Sequence, residues 1–581
     1  VEDSLEESME KPRPAVDVRD FGAVADWNGD SGTDNHKAFQ EAIKHAADTG
    51  HPVYVPAGKY YIDASTPLEV RKNLVLFGDG SESTFIKVGP LVQTDVINLL
   101  DLGNNLDLHL SGLRIEGPDT PKAGTSGPLY VCLCATGGSR LYLDNLHVRK
   151  FRNPFWMKED TVGSALPKVH ARRCDIESYE TCMLVRAGVR DSELIVEDCD
   201  LAVQDSDPGT KIGDGAIIYI EQGVSLRCTN TRFHRTNKDG YGIHFWFGST
   251  APRYAIVANC WFSAAVDSKM ISNSKQLTQV SNCAFLMGDG TNKGIEVQPG
   301  GIAMDNCLFL YSGKCTGSAI HDTNMTNGTG MAIITNCVFT GDAGLHATLH
   351  RTANPENPEA AAWRMHGCTF SGAGMKVYES ETAKRAHASF VDCYFNPGWG
   401  GPRLKGGAYE FRGCIFEQRD IDVHGGEGDV ELHLQDNIFR GTALGPTVAA
   451  TMDHALSMFG HSNRFSGKGY FIFTNPKAKG YLCPVSNLGP TVASAPTVFI
   501  SPDADMVHIT GEATIDNLEI GKSATLKCTA AFRGPFRLIA DGSWKTSMDG
   551  NIRSTNIGAR VPGECYSFVY SADDGFWYEI S

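Results

Sequence analysis

One short alternation of polar and apolar positions returns along the middle of the chain. Asn259-Cys260-Trp261-Phe262 reappears as Asn282-Cys283-Ala284-Phe285, Asn306-Cys307-Leu308-Phe309 and Asn336-Cys337-Val338-Phe339, then as Cys368-Thr369-Phe370, Cys393-Tyr394-Phe395 and Cys414-Ile415-Phe416. Asparagine replaces cysteine in Asn437-Ile438-Phe439 and Asn463-Arg464-Phe465, and looser copies stand at Cys174-Asp175-Ile176 and Cys199-Asp200-Leu201. The step between copies varies, 23 residues from Cys260 to Cys283 and 31 from Cys337 to Cys368. Fixed phrases separated by unequal insertions mark a solenoid with loops of different length. In Cys-x-Phe the apolar residues are two apart, so they share one face of a strand. Gly-rich turns lead to a second strand type such as Gly294-Ile295-Glu296-Val297. Helical spacing over ten or more positions is absent from these rungs, so the pattern predicts stacked parallel β units.

Both ends depart from the repeat. Asp34 to Ala47 places Ala38, Phe39, Ala42, Ile43 and Ala46 at helical spacing, with Thr33 or Asp34 as N-cap. A helix there would cover the open strand edges of the first rung. After about residue 475 the Cys-x-Phe phrase stops. Ala513-Thr514-Ile515-Asp516-Asn517-Leu518-Glu519-Ile520 and Tyr566-Ser567-Phe568-Val569-Tyr570 alternate instead, predicting a separate antiparallel β domain. The expected organisation is a flexible leader over 1–14, a cap region over 15–60, the solenoid over 61–475 and the terminal β domain over 476–581.

Composition narrows the classes. Net charge is −16 over 581 residues, which argues against a nucleic-acid coat with a basic stripe. No apolar run approaches the roughly 18 residues of a membrane span. Seventeen cysteines are an odd number, so at least one cannot pair within the chain. Stacked at a strand spacing of about 4.8 Å, the repeated cysteines suit a column of buried small side chains better than a disulfide ladder. No CxxC pair supports zinc, and neither a metal nor a cofactor is expected.

Val16-Asp17-Val18-Arg19-Asp20-Phe21-Gly22-Ala23-Val24, Thr33-Asp34, Ala38-Phe39-Gln40-Glu41-Ala42-Ile43 and Val53 to Ile62 together resemble the opening of the pectate-lyase-like β-helix family, in particular its bacteriophage tailspikes. The rung pattern extends the resemblance to about residue 475. The segment from Ile509-Thr510-Gly511 to Gly575-Phe576-Trp577-Tyr578-Glu579 is similar to a β domain that closes many phage tail proteins. The resemblance implies an all-β chain: a right-handed parallel β-helix with an N-terminal helical cap and a C-terminal antiparallel β domain acting as trimer clamp. It also implies a homotrimer of the virion that binds and cuts bacterial surface polysaccharide, O-antigen or capsule, joined to the phage tail through a segment not evident in this sequence. The motifs that carry the resemblance hold no catalytic residue, so the chemistry rests on the rungs.

A long polymer calls for a groove across several rungs. Taking one inward apolar residue per rung (Val185, Ile218, Ile243, Ile271, Ile295, Ile320, Leu345) places Arg186, Tyr219, His244, Ser272, Glu296, His321 and His346 next to it, facing outward. Two positions further stand Glu221, Trp246, Ser274, Gln298 and Thr323. Arg186, Tyr219, His244, Trp246 and Glu296 are the candidate substrate contacts, since aromatic rings stack on pyranose faces and carboxylates bond hydroxyls. Four residues before Ile218, Ile243 and Ile271 stand Asp214, Asp239 and Asp267. Carboxylates one rung apart would separate their pKa values and supply the acid and base that glycoside hydrolysis requires. These three and Glu221 are the candidate catalytic residues. Against this, Asp214-Gly215 and Asp239-Gly240 are ordinary turn dipeptides, and a surface Glu is more often only solvated.

Two other classes stay open. A polysaccharide lyase would use Tyr219 or His244 as base, with Arg186 or Lys269 neutralising a uronic carboxylate. A binding-only tail protein would grip the polymer and leave its length unchanged.

Overall fold

A computed structural model of the chain describes residues 14–580 except 90–95, 119–128, 136–137, 158–167, 187–191, 204–215, 222–223, 236–239, 246–253, 267–268, 273–276, 291, 298–300, 312–314, 316, 323–330, 342–346, 352–361, 373–375, 381–385, 398–402, 405–406, 418–420, 425–429, 442–447, 452–455, 468–470, 474–478, 485–490, 502–505, 522–535 and 572–573. Two compact units divide it, Val1–Ala303 and Met304–Ser581. Among the described residues there is one α-helix, and the rest of the regular structure is almost entirely strand.

In the first unit each circuit of the chain lays down three strands, and each strand pairs in parallel with its counterpart in the next circuit. Lys168–Arg172, Glu193–Glu197, Ser225–Thr229, Ala255–Ala258 and Thr278–Ser281 form a first ladder. Asp175–Ser178, Asp200–Val203, Arg232–Arg235, Trp261–Val266 and Ala284–Asp289 form a second. Met183–Arg186, Ala216–Glu221, Tyr241–Phe245, Lys269–Ser272 and Lys293–Val297 form a third. This is the β-helix-like stack that the repeat predicts.

The repeated phrase marks the corner between the first and second ladders. Asn230, Asn259 and Asn282 have φ of 51°, 54° and 52°. Only a residue tolerant of the left-handed region turns the chain that sharply, and Asn is one of the few with a side chain that does. Cys260 and Cys283 follow at the bend itself, ahead of the strands that open at Trp261 and Ala284. The expectation that Cys and Phe share one strand is corrected accordingly: both are buried, but the thiol occupies the corner and only the phenyl lies in the strand. Each thiol donates to the carbonyl two residues before it, Cys260 to Ala258 at 3.2 Å and Cys283 to Ser281 at 3.2 Å. The phenyl rings form a continuous column. Phe233 and Phe262 are 4.5 Å apart at 3°, and Phe262 and Phe285 are 4.9 Å apart at 6°. The corner cysteines Cys260, Cys283, Cys307 and Cys337 are buried, whereas Cys565 is exposed.

The helix, α1 (His36–Thr49), buries Ala38, Phe39, Ala42, Ile43 and Ala46, and Phe39 meets Tyr60 edge-on at 5.8 Å. Its N-cap position falls on Asn35 rather than Thr33 or Asp34. The Asn35 amide is drawn away to bond Val24 N, Val24 O, Thr33 O and Tyr61 O, while Asp34 Oδ1 accepts from His36 N at 3.0 Å.

The second unit repeats the same construction. Phe339, Phe370, Phe395, Phe416 and Phe439 stack at 4.7 to 5.1 Å with ring planes within 8°. Its last segment corrects the antiparallel expectation. Val492–Ala493, Met506–Thr510 and Phe536–Ala540 run parallel, and among the described residues only Cys565–Ser571 pairs antiparallel, with Phe536–Ala540 and with Phe576–Ile580. The alternating stretch 513–520 breaks at Asp516 into Thr514–Ile515 and Asn517–Ile520, which pair in parallel with strands of two different sheets. Alternation specifies which residues face the core, here Ile515 and Leu518. It does not specify the direction of the neighbouring strand.

Candidate functional site

The candidate site lies on the outer side of the third ladder in the first unit. Its strands are β1 (Met183–Arg186), β2 (Ala216–Glu221), β3 (Tyr241–Phe245), β4 (Lys269–Ser272) and β5 (Lys293–Val297). Ile218, Ile243, Ile271 and Ile295 pair in sequence and are buried inward. Tyr219, His244, Ser272 and Glu296 pair beside them as one row across four rungs. The next residue back, Gly242, has a physical reason to be glycine: a Cβ there would stand 2.5 Å from Met270 O of the following rung.

The row is not an open surface. His244 and Glu296 are each 5% exposed and Ser272 is 1% exposed. A second row, Ala216, Tyr241, Lys269 and Lys293, pairs alongside and supplies the partners. Lys269 Nζ donates to Tyr241 Oη at 2.8 Å and lies 3.2 Å from Glu296 Oε1, while Lys293 Nζ lies 3.7 Å from the same oxygen. Tyr241 stacks on His244 at 4.0 Å, and Tyr219 meets His244 edge-on at 5.3 Å.

The two ammonium groups respond differently to this setting. Burial pulls Lys269 down, but its hydrogen bond to Tyr241 and the charge of Glu296 outweigh that and hold it above the ordinary lysine range. Burial dominates at Lys293, and repulsion from Lys269 adds to it, so Lys293 sits below that range despite Glu296. The result is a cluster of a buried carboxylate and imidazole with a half-buried phenol and two half-buried cations, groups that can bond a polyhydroxylated ligand.

Among the sequence candidates, the structure brings Tyr219, His244 and Glu296 into one row. Arg186 is not in it. The chain pairs Leu184 with Tyr219 and Arg186 with Glu221, two residues away from the register expected from Val185. Likewise Ile320 pairs with Leu349 and His321 with His350, not with Leu345 and His346, which lie outside the described residues. A ladder register is set by main-chain hydrogen bonds, and an inserted loop can shift it by an even number of residues, here two and four, while keeping every face correct. Asp214, Asp239, Asp267 and Trp246 lie outside the described residues, and for Glu221 and Arg186 only the backbone register is described. The three Asp positions each stand two residues before members of the second row, Ala216, Tyr241 and Lys269. Sequence reasoning missed Tyr241 and Lys293. Their signal was available as the polar residues two before Ile243 and Ile295.

Comparison with known proteins is consistent with the early rungs. Residues 15–106 match the family model for rhamnogalacturonase A/epimerase, pectate lyase-like. A pre-neck appendage protein of Bacillus phage B103 is 33% identical over 105 residues, 18% of this chain and 11% of that protein. A preneck appendage protein of Bacillus phage PZA is 30% identical over 155 residues, 26% of this chain and 16% of its own length. The chain therefore spans only a small part of the curated relatives it matches. Among solved structures, an N-terminal fragment of bacteriophage phi29 gene product 12 aligns over 97% of this chain and 98% of its own, with 13% identity and a TM-score of 0.38. The A-module of the Azotobacter vinelandii mannuronan C-5 epimerase AlgE4 aligns over 66% and 95%, with 12% identity and a TM-score of 0.32. Residues 15–106 are thus similar to the pectate lyase-like family, and the curated relatives that share short stretches with this chain are pre-neck appendage proteins of Bacillus phages.

Proposed function

We propose that this chain is a component of a phage tail appendage in the virion that binds a bacterial surface polysaccharide along the third ladder and cuts it by endo-glycosidic hydrolysis. The observation that carries the reading is the paired rows Tyr219, His244, Ser272, Glu296 and Tyr241, Lys269, Lys293. They offer ring edges, hydroxyls and charged groups to a ligand lying across successive rungs. Asp214, Asp239, Asp267 and Glu221 flank these rows in sequence. In this reading one of the four protonates the glycosidic oxygen, and another activates water or attacks the anomeric carbon. A right-handed coil, the helical cap over its first rung, the solenoid of 61–475 as the polymer-binding part and trimerisation through 476–581 belong to the same reading.

The test is a panel of Asp214→Asn, Asp239→Asn, Asp267→Asn and Glu221→Gln, assayed on purified polysaccharide of a susceptible host. Loss of the acid or the base lowers turnover by about two to four powers of ten with the fold retained. Near-normal cleavage by all four, still folded, removes this site.

One observation favours a second reading. The 2.8 Å bond from Lys269 to Tyr241 places a cation against a phenol, the arrangement that a β-elimination would use to abstract a proton next to a uronic carboxylate. Elimination leaves an unsaturated, ultraviolet-absorbing sugar end; hydrolysis leaves none. Polymer of unchanged length after prolonged incubation would mean binding without cleavage.

A further inference from the structure

Between Cys228 and Cys260 the chain makes one circuit. It leaves the first ladder at Ser225–Thr229, passes through Arg232–Arg235 and Tyr241–Phe245, and returns at Ala255–Ala258. Cys228 is fully buried within the first ladder, in register with Val257, and Cys260 is 2% exposed at the corner that follows. Their sulfur atoms are 3.7 Å apart. Along the corner column, Cys260 N donates to Cys283 Sγ at 3.4 Å, the Cys260 and Cys283 side chains are also hydrogen-bonded, and successive corners repeat at about 4.8 Å. That spacing exceeds the roughly 3.5–4.5 Å between Cβ atoms of a disulfide. Cys228 approaches from a strand instead of a corner, so the rung spacing does not hold the two sulfurs apart.

We propose that Cys228 and Cys260 are a latent redox pair: a small neutral oxidant of the peroxide class joins them into a disulfide that closes the rung carrying Tyr241 and His244. One thiol sulfur attacks a peroxide oxygen, breaking the O–O bond to give a sulfenic acid and one water. The second thiol sulfur then displaces the sulfenic hydroxyl, which leaves as a second water with that thiol's proton. Two thiols and one hydrogen peroxide thus give one disulfide and two waters, with two electrons passing from sulfur to oxygen. The neighbouring Cys228 thiol raises Cys260 above the ordinary thiol range and outweighs the lowering by Cys283, so attack by Cys260 is slow. Closure requires the sulfurs, which lie on successive circuits, to move from 3.7 Å to about 2.05 Å.

The test uses the full chain carrying Cys565→Ser, because Cys565 is exposed and would otherwise react first. Native protein is incubated with hydrogen peroxide, alkylated under denaturing conditions and digested without reduction. A peptide joining Cys228 to Cys260 is expected, with the unfolding half-life at a fixed high temperature lengthened by about tenfold or more and restored by dithiothreitol. Cys228→Ala and Cys260→Ala should each abolish both effects, and either variant suffices if the other fails to fold. Oxidation that ends at sulfinic acid, or that joins other cysteines and leaves Cys228 and Cys260 free, overturns the proposal.

Discussion

Asn437 stands where the preceding rungs place a cysteine, and its Nδ2 donates to Asn463 Oδ1 at 3.0 Å, one corner joined to the next. Nδ2 also bonds Phe411 O at 2.8 Å, and Oδ1 accepts from Cys414 N at 2.9 Å. A fully buried amide with each of these contacts made contributes; with one end unmade it costs. Asn437→Leu, similar in volume, strands Cys414 N and Phe411 O and is expected to lose about 2–4 kcal/mol in urea unfolding. Asn437→Cys restores the residue that other rungs use at this corner and should lose less than half of that. Equal losses for the two would show that the amide column contributes nothing of its own.

Arg560 should be a second point of fragility. Its guanidinium is fully buried and bonds Glu579 twice, at 2.8 and 2.6 Å, with Thr546 and Ser554 beside it and the rings of Trp544 and Tyr566 against it. Removing one partner of a buried pair leaves the other uncompensated, a loss of about 3–5 kcal/mol. Arg560→Met is expected to show this in denaturant unfolding. Arg560→Met with Glu579→Gln should recover part of it, and a double variant no better than the single would contradict the pairing.

Acid stability should carry two contributions of opposite sign from Glu116 and Glu177 of the first unit. Burial alone would raise Glu116, but Lys150, Lys87 and Arg114 outweigh it and hold its carboxyl below the ordinary range. A depressed native pKa gives stability that is complete above the unfolded value of about 4.3 and lost as pH falls through the native one. Glu177 is raised by burial, against Arg149 and with Asp175. Its contribution is complete below the same unfolded value and declines as pH rises through the native one. Glu116→Gln should therefore blunt the acid limb of an unfolding titration, while Glu177→Gln should raise stability at neutral pH. Identical profiles for the two variants would be incompatible with this.

Tyr241→Phe separates the two chemistries. Under hydrolysis the phenol only positions Lys269, so turnover should fall by less than about a hundredfold, with no ultraviolet-absorbing product. A larger loss, with unsaturated ends released by the wild type, would transfer the role of base to Tyr241. Lys269→Met leaves Glu296 with Lys293 alone at 3.7 Å, and since Lys269 is partly exposed the cost should be only about 1–2 kcal/mol.

The stacked parallel rungs were legible in the Cys-x-Phe phrase because its recurrence fixes which residues face inward, a thiol at each corner and a phenyl in the strand that follows. Phe262 and Phe285 had to meet once the phrases stacked. The helix at 36–49 was legible for the same reason, through the spacing of Phe39, Ala42, Ile43 and Ala46. The whole candidate row, Tyr219, His244, Ser272 and Glu296, followed from aligning the inward isoleucines. Tertiary structure alone decided the rest. Arg186 left the row because hydrogen bonding paired it with Glu221, and side-chain pattern carries no information on a shift of two. The terminal strands took mixed directions because alternation is the same for parallel and antiparallel neighbours. Tyr241, Lys269 and Glu296 are 28 and 27 residues apart in sequence. Only the stacking of whole rungs, with loops of unequal length absorbed between them, brings that phenol, cation and carboxylate within bonding distance.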